Sequence, residues 1–463
     1  MSARNVGQSG SSPIENQKNY QKLEQSTFNA IRNLLPDHVI QKTCREIGYD
    51  FRQRLMTPVV TVLHMVLAAI WPEESFQAGW QVLWAAASSQ FTELAGDSPT
   101  RGKVCQARKR LPRELWQKLS GWISAKAQAL SQSYACWKGH RVVLADGTCV
   151  SMPDEPELRR EFGVNTGYHG QGKYPLARLV TLCLAQTMTV ISYAVGAYQA
   201  SEWALLKTIL KTLKVGDLLL GDRHFAAAHY YAYYRSLGIE FLTRANATLK
   251  VSRIKPLESY SQNDFIGWMP INPNYRKVDP TLPEKIMVRF IQATIRIRGK
   301  RQVVWFVTSL LDPQAYPAAD LVTLYGRRWR IETFFREVKI NLSADVLRSK
   351  LVDNIYKEID ARFIAVNLVR MMALEAAAQD GHVDPLRISF VHTLRVILMF
   401  SPAFASGPIA KLPRLYEAML IEIASERVPE RPGRNEPRAV RREKKHYPTL
   451  KTTREQWRKD NAA

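Results

Sequence analysis

No apolar run in this chain is long enough to span a bilayer. The longest, residues 59–71, covers 13 residues and includes His64, whereas a helical span needs roughly 20. The first residues, MSARNVGQSGSSP, lack the apolar centre of a secretory leader. Cysteine is scarce. Cys44, Cys105, Cys136, Cys149 and Cys183 are odd in number and form no CxxC pair. That argues against a zinc ribbon or a disulfide framework and suits a reducing cytoplasm. A glycine-rich phosphate loop ending in Gly-Lys-Ser or Gly-Lys-Thr is missing, so ATP-driven chemistry is not indicated. A Gly-x-Ser-x-Gly elbow is missing too, which removes the usual serine hydrolase. Internal repeats are absent. Acidic residues are the most telling shortage: 42 Asp and Glu against 65 Lys and Arg leave a net charge of +23. Such a balance does not specify a fold, but it favours a polyanionic partner, either nucleic acid or an anionic membrane surface.

What is present is enough to fold. At 463 residues and 46% hydrophobic, the chain can bury a large core and fill two to four domains. Residues 1–25 are rich in Gly, Ser, Asn and Gln and read as a flexible N-terminus. Residues 26–135 have helical spacing, as in Leu63, Val66, Leu67 and Ile70, and again in Leu115, Trp116, Leu119 and Trp122. Arg101, Lys103, Arg108, Lys109 and Arg110 lie between these segments. The region reads as a helical domain that grips DNA, or as a plain helical bundle with a basic rim.

From residue 136 the texture changes to strands. RVVLADGTCVSM, ARLVTLCLAQ and TVISYAVGAY predict three strands, the first broken by Asp-Gly. An amphipathic helix capped by Ser201 follows, then the strand DLLLGDRHF, a helix closed by Gly238, and the strand IEFLTRAN. This order predicts an α/β fold with helices packed on a mixed sheet over 136–245. Residues 246–319 interrupt it with a β-rich insertion, including a hairpin turning at Arg298, Gly299 and Lys300. A helix over 320–345 resumes the core. Residues 346–426 are helical again, and 427–463 form a solvated basic tail with four prolines.

The segment YGRRWRIETFFREVK predicts one amphipathic helix. Tyr325, Arg328, Glu332, Arg336 and Lys339 fall within about 80° of one another at roughly 100° per residue. Ile331, Phe334, Phe335 and Val338 take the opposite side. One carboxylate ringed by cations and a phenol suits a metal-bound phosphate. It also suits a solvated, salt-bridged surface. Glu337 falls off the stripe.

Asp146 follows Val142, Val143 and Leu144, and Asp222 follows Leu218, Leu219, Leu220 and Gly221. A carboxylate at the end of a buried strand is costly unless it is paired or binds metal. Singly, each has an ordinary reading, Asp146 as an Asp-Gly turn and Asp222 as a helix cap. Together with Glu332 they can converge on one sheet edge, where their repulsion calls for divalent cations such as Mg²⁺ or Mn²⁺. Two such ions suit in-line phosphoryl displacement.

The spacing Tyr325-x2-Arg328-x3-Glu332-x6-Lys339, with ADGT around Asp146 and GDRHF around Asp222, resembles the Tyr-Arg-Glu-Lys signature and the two aspartate motifs of bacterial insertion-sequence transposases of family four. The likeness runs from about residue 50 to 450. It implies a ribonuclease H-like catalytic core interrupted by a β-rich insertion, with helical regions on either side. Asp146, Asp222 and Glu332 would be the catalytic and metal-binding triad, with two Mg²⁺ (Mn²⁺ as substitute) per site. Tyr325, Arg328 and Lys339, with Arg336 on the same stripe, would bind DNA phosphates. Trp305 is a candidate for stacking on a flipped base if the second strand is cut through a hairpin intermediate, and equally a core tryptophan. The implied partners are double-stranded DNA, as inverted repeats and target, and a second copy of the chain, with the 346–426 helices as the candidate joint. The implied place is the bacterial nucleoid. A nuclease of the same fold that does not transpose, and a basic repressor without catalysis, remain open on these residues alone.

Overall fold

The structure, a computed structural model, describes residues 29–51, 55–71, 80–81, 84–85, 99–134, 136–167, 170–297, 300–381, 383–406, 409–429, 456 and 459–460. The expected flexible N-terminus, nearly all of the basic tail, and Arg298 and Gly299 lie outside the described residues.

Among the described residues the strands join one mixed sheet. They are β1 (Cys136–Trp137), β2 (His140–Ser151), β3 (Val164–Gly167), β4 (Gly170–Leu184), β5 (Val190–Ala197), β6 (Leu218–Gly221), β7 (Glu240–Arg244), β8 (Pro256–Ser261), β9 (Asp264–Pro270), β10 (Lys285–Ile297) and β11 (Lys300–Thr308). The order is β3-β4-β2-β6-β7-β11-β10-β9-β8, with β1 on β2 and β5 on β4. β2, β4 and β5 form an antiparallel meander. β6 and β7 then add in parallel to β2 and to each other.

The helices used below are α1 (Asp37–Glu46), α2 (Pro58–Ile70), α3 (Arg101–Arg110), α4 (Arg113–Leu130), α5 (Glu202–Ile209), α6 (Ala228–Ser236), α7 (Ala318–Gly326), α8 (Trp329–Asn341), α9 (Val352–Gln379), α10 (Phe390–Ser406) and α11 (Leu412–Ser425). The most apolar run of the chain is α2. Thr57 caps it, accepting from the Val60 amide at 3.3 Å, and Pro58 begins it. All but one of its residues are buried, so its apolarity belongs to a core. Ser201 caps α5 as expected, accepting from the Ala204 amide at 3.1 Å. Gly238 closes α6 with φ +69°.

Strand alternation splits the core into two layers. Val142, Leu144, Leu218 and Leu220 face the cluster that holds α2, α4, α8 and α9. Val143, Ala145, Leu219 and Phe241 face α5 and α6. The period of 2 in each buried strand sends neighbouring side chains to opposite faces, so a sheet covered on both sides needs continuous apolar runs.

Four expectations change here. β2 is not broken at Asp146-Gly147; it runs on to Ser151, because β4 pairs with it along Val143–Ser151. Glycine weakens a strand without ending it. The β-rich stretch does not stand apart, since β11 pairs with β7 through Phe306↔Arg244 and Thr308↔Leu242 and prolongs the core sheet. The N-terminal and C-terminal helices do not form separate cores. α9 packs against α2 and α4 and is buried along most of its length, so this helix is consumed within its own chain and offers little surface to a second copy.

The fourth change concerns residues 325–339. They form two helices, α7 and α8, broken at Arg327 and Arg328. Ile331, Phe334, Phe335 and Val338 are the buried residues of α8, as the wheel predicts. Tyr325, however, lies on the other helix.

Candidate active site

The parallel pairing of β2 with β6 places the two aspartates. Leu144 pairs with Leu220 as the last rung, so Asp146 and Asp222 each stand two residues beyond it. Asp146, within β2, shares the face of Val142 and Leu144, the face α8 covers, and Asp222, just past the end of β6, acts electrostatically on it. Burial pushes the Asp146 carboxyl up to about 6. The Gly147 amide, donating to its Oδ1 at 2.8 Å, and the Arg328 charge work against that rise, while Asp222 and Glu202 add to it. Asp222 accepts from the His224 amide at 2.8 Å and caps a short 3-10 turn. The ordinary capping role of Asp222 is thus realised, and its proximity to Asp146 comes in addition.

At the turn joining α7 and α8 Arg328 keeps a helical backbone, φ −54° and ψ −35°, and its side chain points inward. Its side chain is 7% exposed. One guanidinium nitrogen lies 2.8 Å from Glu332 Oε1 and another 3.5 Å from Asp146 Oδ2. Burial alone would weaken this cation, but Tyr325, Glu332 and Asp146 outweigh burial and hold it protonated. Tyr325 is 4% exposed, with its ring tilted against Phe306 at 4.8 Å. Its hydroxyl is pushed up to about 12 by burial, against the pull of Arg328 and Arg244. Glu332 remains about half exposed.

The other predicted residues disperse around this centre. Lys339 is half-buried one turn or more along α8, its ammonium lowered by burial and lifted by Cys149 and Asp345. Arg336 is exposed, and Glu332 pairs with Arg328 rather than with it. Glu337, rejected on the wheel, pairs with Arg370 of α9 at 2.5 Å. Trp305 is half-buried in β11, edge-on to Phe265 at 5.8 Å. Of the basic run, Arg108 turns into the core and donates to Ser349 Oγ at 2.9 Å, while Arg101, Lys103, Lys109 and Arg110 stay exposed.

The family described as "Transposase DDE domain" matches residues 137–368, half of the chain and the span that holds Asp146, Asp222, Trp305, Tyr325, Arg328, Glu332, Arg336 and Lys339. The chain belongs to the DDE transposases. The transposase for insertion sequence element IS4, InsG of Escherichia coli (strain K12), is 24% identical over 362 residues, 77% of this chain and 80% of that protein. The putative transposase InsZ of the same organism is 32% identical over 90 residues, 19% of this chain and 30% of that one. The IS4-family assignment made from the Tyr-Arg-Glu-Lys spacing stands, and with it the activity: this is an enzyme of DNA transposition. No described helix is long and apolar enough to cross a membrane.

Transposases of the DDE type work with divalent metal. The donors here suit a hard cation, being carboxylate oxygens on β2, just past the end of β6 and on α8. Yet among the described residues no three His, Cys, Asp or Glu side chains are gathered closely enough to hold an ion. The guanidinium of Arg328 stands between Asp146 and Glu332 instead.

Three neighbours of the transposase site escaped the sequence reading. Glu202, in the first turn of α5, approaches from the far face of the sheet. A Cβ on Gly147 would lie 2.6 Å from Glu202 Oε1. Arg178 on β4 holds Glu202 at 3.1 Å. Arg244 ends β7 and acts on Tyr325. In sequence Glu202 is an ordinary first-turn acid. Only Gly147, read as an opening rather than a turn, could have pointed to it.

Proposed function

We propose that this transposase cuts DNA at the ends of its element and joins them to target DNA, with Asp146, Asp222 and Glu332 as the catalytic carboxylates. The observation that supports the reading is the β2–β6 pairing, whose last rung Leu144↔Leu220 stands two residues before each aspartate, with Arg328 linking Asp146 to Glu332 of α8. The strand order β5-β4-β2-β6-β7, an antiparallel meander followed by two parallel strands, supports a ribonuclease H-like core. β8 to β11, lying between β7 and α7 in the chain, are then its insertion.

In this reading Asp146, Asp222 and Glu332 would hold two Mg²⁺, or Mn²⁺ in their place, once drawn together around DNA. When bound, such ions lower the pKa of a bound water or hydroxyl and offset charge on the departing oxygen. The chain's own groups position the DNA. Arg328 and Lys339 take phosphate oxygens, with Arg336 at the exposed edge. Tyr325, its hydroxyl protonated at neutral pH, donates a hydrogen bond. Two element ends require two active sites, so a homodimer in the DNA complex follows, built on surfaces other than α9.

The test is supercoiled plasmid carrying the element's ends, with and without Mg²⁺. Asp146→Asn, Asp222→Asn and Glu332→Gln should each lower nicking and excision about a thousandfold or more while end binding in a mobility assay persists. Excision at the wild-type rate in any one would remove that residue from the triad. Binding without metal-dependent nicking in the unaltered chain would leave only a repressor. For Trp305, stacking on a flipped base is worth about 1–3 kcal/mol. Trp305→Ala should then slow hairpin formation more than the first nick, and equal losses would mark it as packing against Phe265.

A further inference from the structure

The geometry points to Arg328 as a placeholder cation that competes with the divalent ions for Asp146 and Glu332 until DNA phosphate draws it away. This rests on the carboxylate assignment proposed above.

Three observations carry it. First, the position of the guanidinium between Asp146 and Glu332, at 3.5 and 2.8 Å, is the position from which a cation neutralises both. A hard divalent ion takes carboxylate oxygens directly, at about 2.0–2.6 Å, so it must share Glu332 Oε1 with the hydrogen bond from Arg328 and enter against the positive charge that also lies 3.5 Å from Asp146. Secondly, the side chain is more than nine-tenths buried, yet its Nε makes no hydrogen bond among the described residues. A buried guanidinium N–H without an acceptor is costly. The planar fork is therefore incompletely satisfied here and would gain from an acceptor with several oxygens, such as phosphate. Thirdly, the backbone of Arg328 is bonded on both sides of the turn joining α7 and α8, its N–H to Tyr325 O at 3.0 Å and its C=O from the Ile331 amide at 3.1 Å, so the guanidinium can leave the carboxylates by side-chain rotation without breaking a backbone bond.

The consequence is an order of events. Without DNA the carboxylates are already neutralised, and metal must displace Arg328 while being repelled by it. With an element end in place, a phosphate accepts the guanidinium, Asp146 and Glu332 are freed, and metal loads. The reactive ions would then assemble only where there is a strand to cut.

The experiment titrates Mn²⁺ into the full-length protein and reads bound metal by water-proton relaxation, with and without a short duplex carrying the element end. The wild type should bind Mn²⁺ weakly alone and at least tenfold more tightly with the duplex. Arg328→Ala should bind at least tenfold more tightly than wild type without DNA, and gain little from the duplex. Arg328→Gln, which keeps length and hydrogen bonding but no charge, should follow it and guards against a folding defect, checked by circular dichroism. Lys118→Ala removes the same charge from an exposed position on α4, outside the site, and should change Mn²⁺ affinity far less. Equal gains in the Lys118 and Arg328 variants, or no gain in either Arg328 variant, would overturn the placeholder. Asp146→Asn added to Arg328→Ala should abolish the gain. If it does not, the carboxylate assignment itself has failed, a result distinct from the first.

Discussion

Gly147 shows how little room the site leaves. A strand glycine followed by threonine reads as a turn, but here it is an opening through the sheet that admits Glu202 from the far face. A methyl group at Gly147 would press on Glu202 and its ion pair with Arg178. Gly147→Ala should therefore destabilise the fold by about 1 kcal/mol, the low end for overpacking, because the end of Glu202 can swing away. The loss should shrink when Glu202→Ala is added, since contacting residues are not additive. Thermal melts of the two single variants and the double variant measure this; additive losses would mean the two do not meet. Arg328 makes the same point for charge. On a wheel it is one cation among several, and only burial separates it from the exposed Arg336.

α9 is the element that holds the helical layers to the sheet, and its buried acidic residues Glu358 and Asp360 are hydrogen-bonded. Glu358 binds Arg362 at 2.8 Å and accepts from the Arg348 and Ser349 amides at 3.0 and 2.9 Å. Asp360 accepts from the Tyr193 hydroxyl, but burial outweighs that bond and raises its carboxyl from the ordinary 3.8 to about 6. A raised acid keeps its proton in the folded state, so its stabilising effect is complete below about pH 4 and is lost as pH climbs through about 6. At about 1.4 kcal/mol per unit, the loss is about 3 kcal/mol. Melting temperature followed from pH 4 to 7 should fall less in Asp360→Asn than in wild type; parallel curves would remove Asp360 from the cause. In the sheet, β9 and β10 are joined by a buried pair, Arg289 with Asp264 at 2.7 and 2.5 Å. Arg289→Ala strands a buried carboxylate and should cost about 3–5 kcal/mol in a denaturant melt. A cost under about 1 kcal/mol would show that the pair is dispensable.

At the scale of the molecule, the surplus of 23 positive charges sets the affinity for DNA more than any single contact does. Each phosphate neutralised releases counterions, and log K falls with log salt by about 0.9 per contact on duplex DNA. Binding of an element end, measured from about 50 to 200 mM salt, should weaken by orders of magnitude. Arg101→Ala with Lys109→Ala should reduce that slope by one to two. An unchanged slope would mean that α3 lies off the DNA path, and that its burial of Arg108 against Ser349 is the whole reason for its composition.

The strands of the core, the cap at Ser201, the buried side of α8 and the family itself were readable along the chain, because each rests on local periodicity or on residues at short spacing. The continuity of β2 past Gly147, the joining of β11 to β7, the shared core of the terminal helices and the break before Arg328 were not. Each depends on a partner far away in the chain: β4 holds β2 straight, β7 accepts β11, α9 gathers α2 and α4, and the largely buried Asp146 faces the inward-turned Arg328. Residue identity and spacing determine which groups are available for phosphate chemistry. Long-range pairing decides which of them touch, since burial and low dielectric turn a row of surface charges into one guanidinium shared by Asp146 and Glu332.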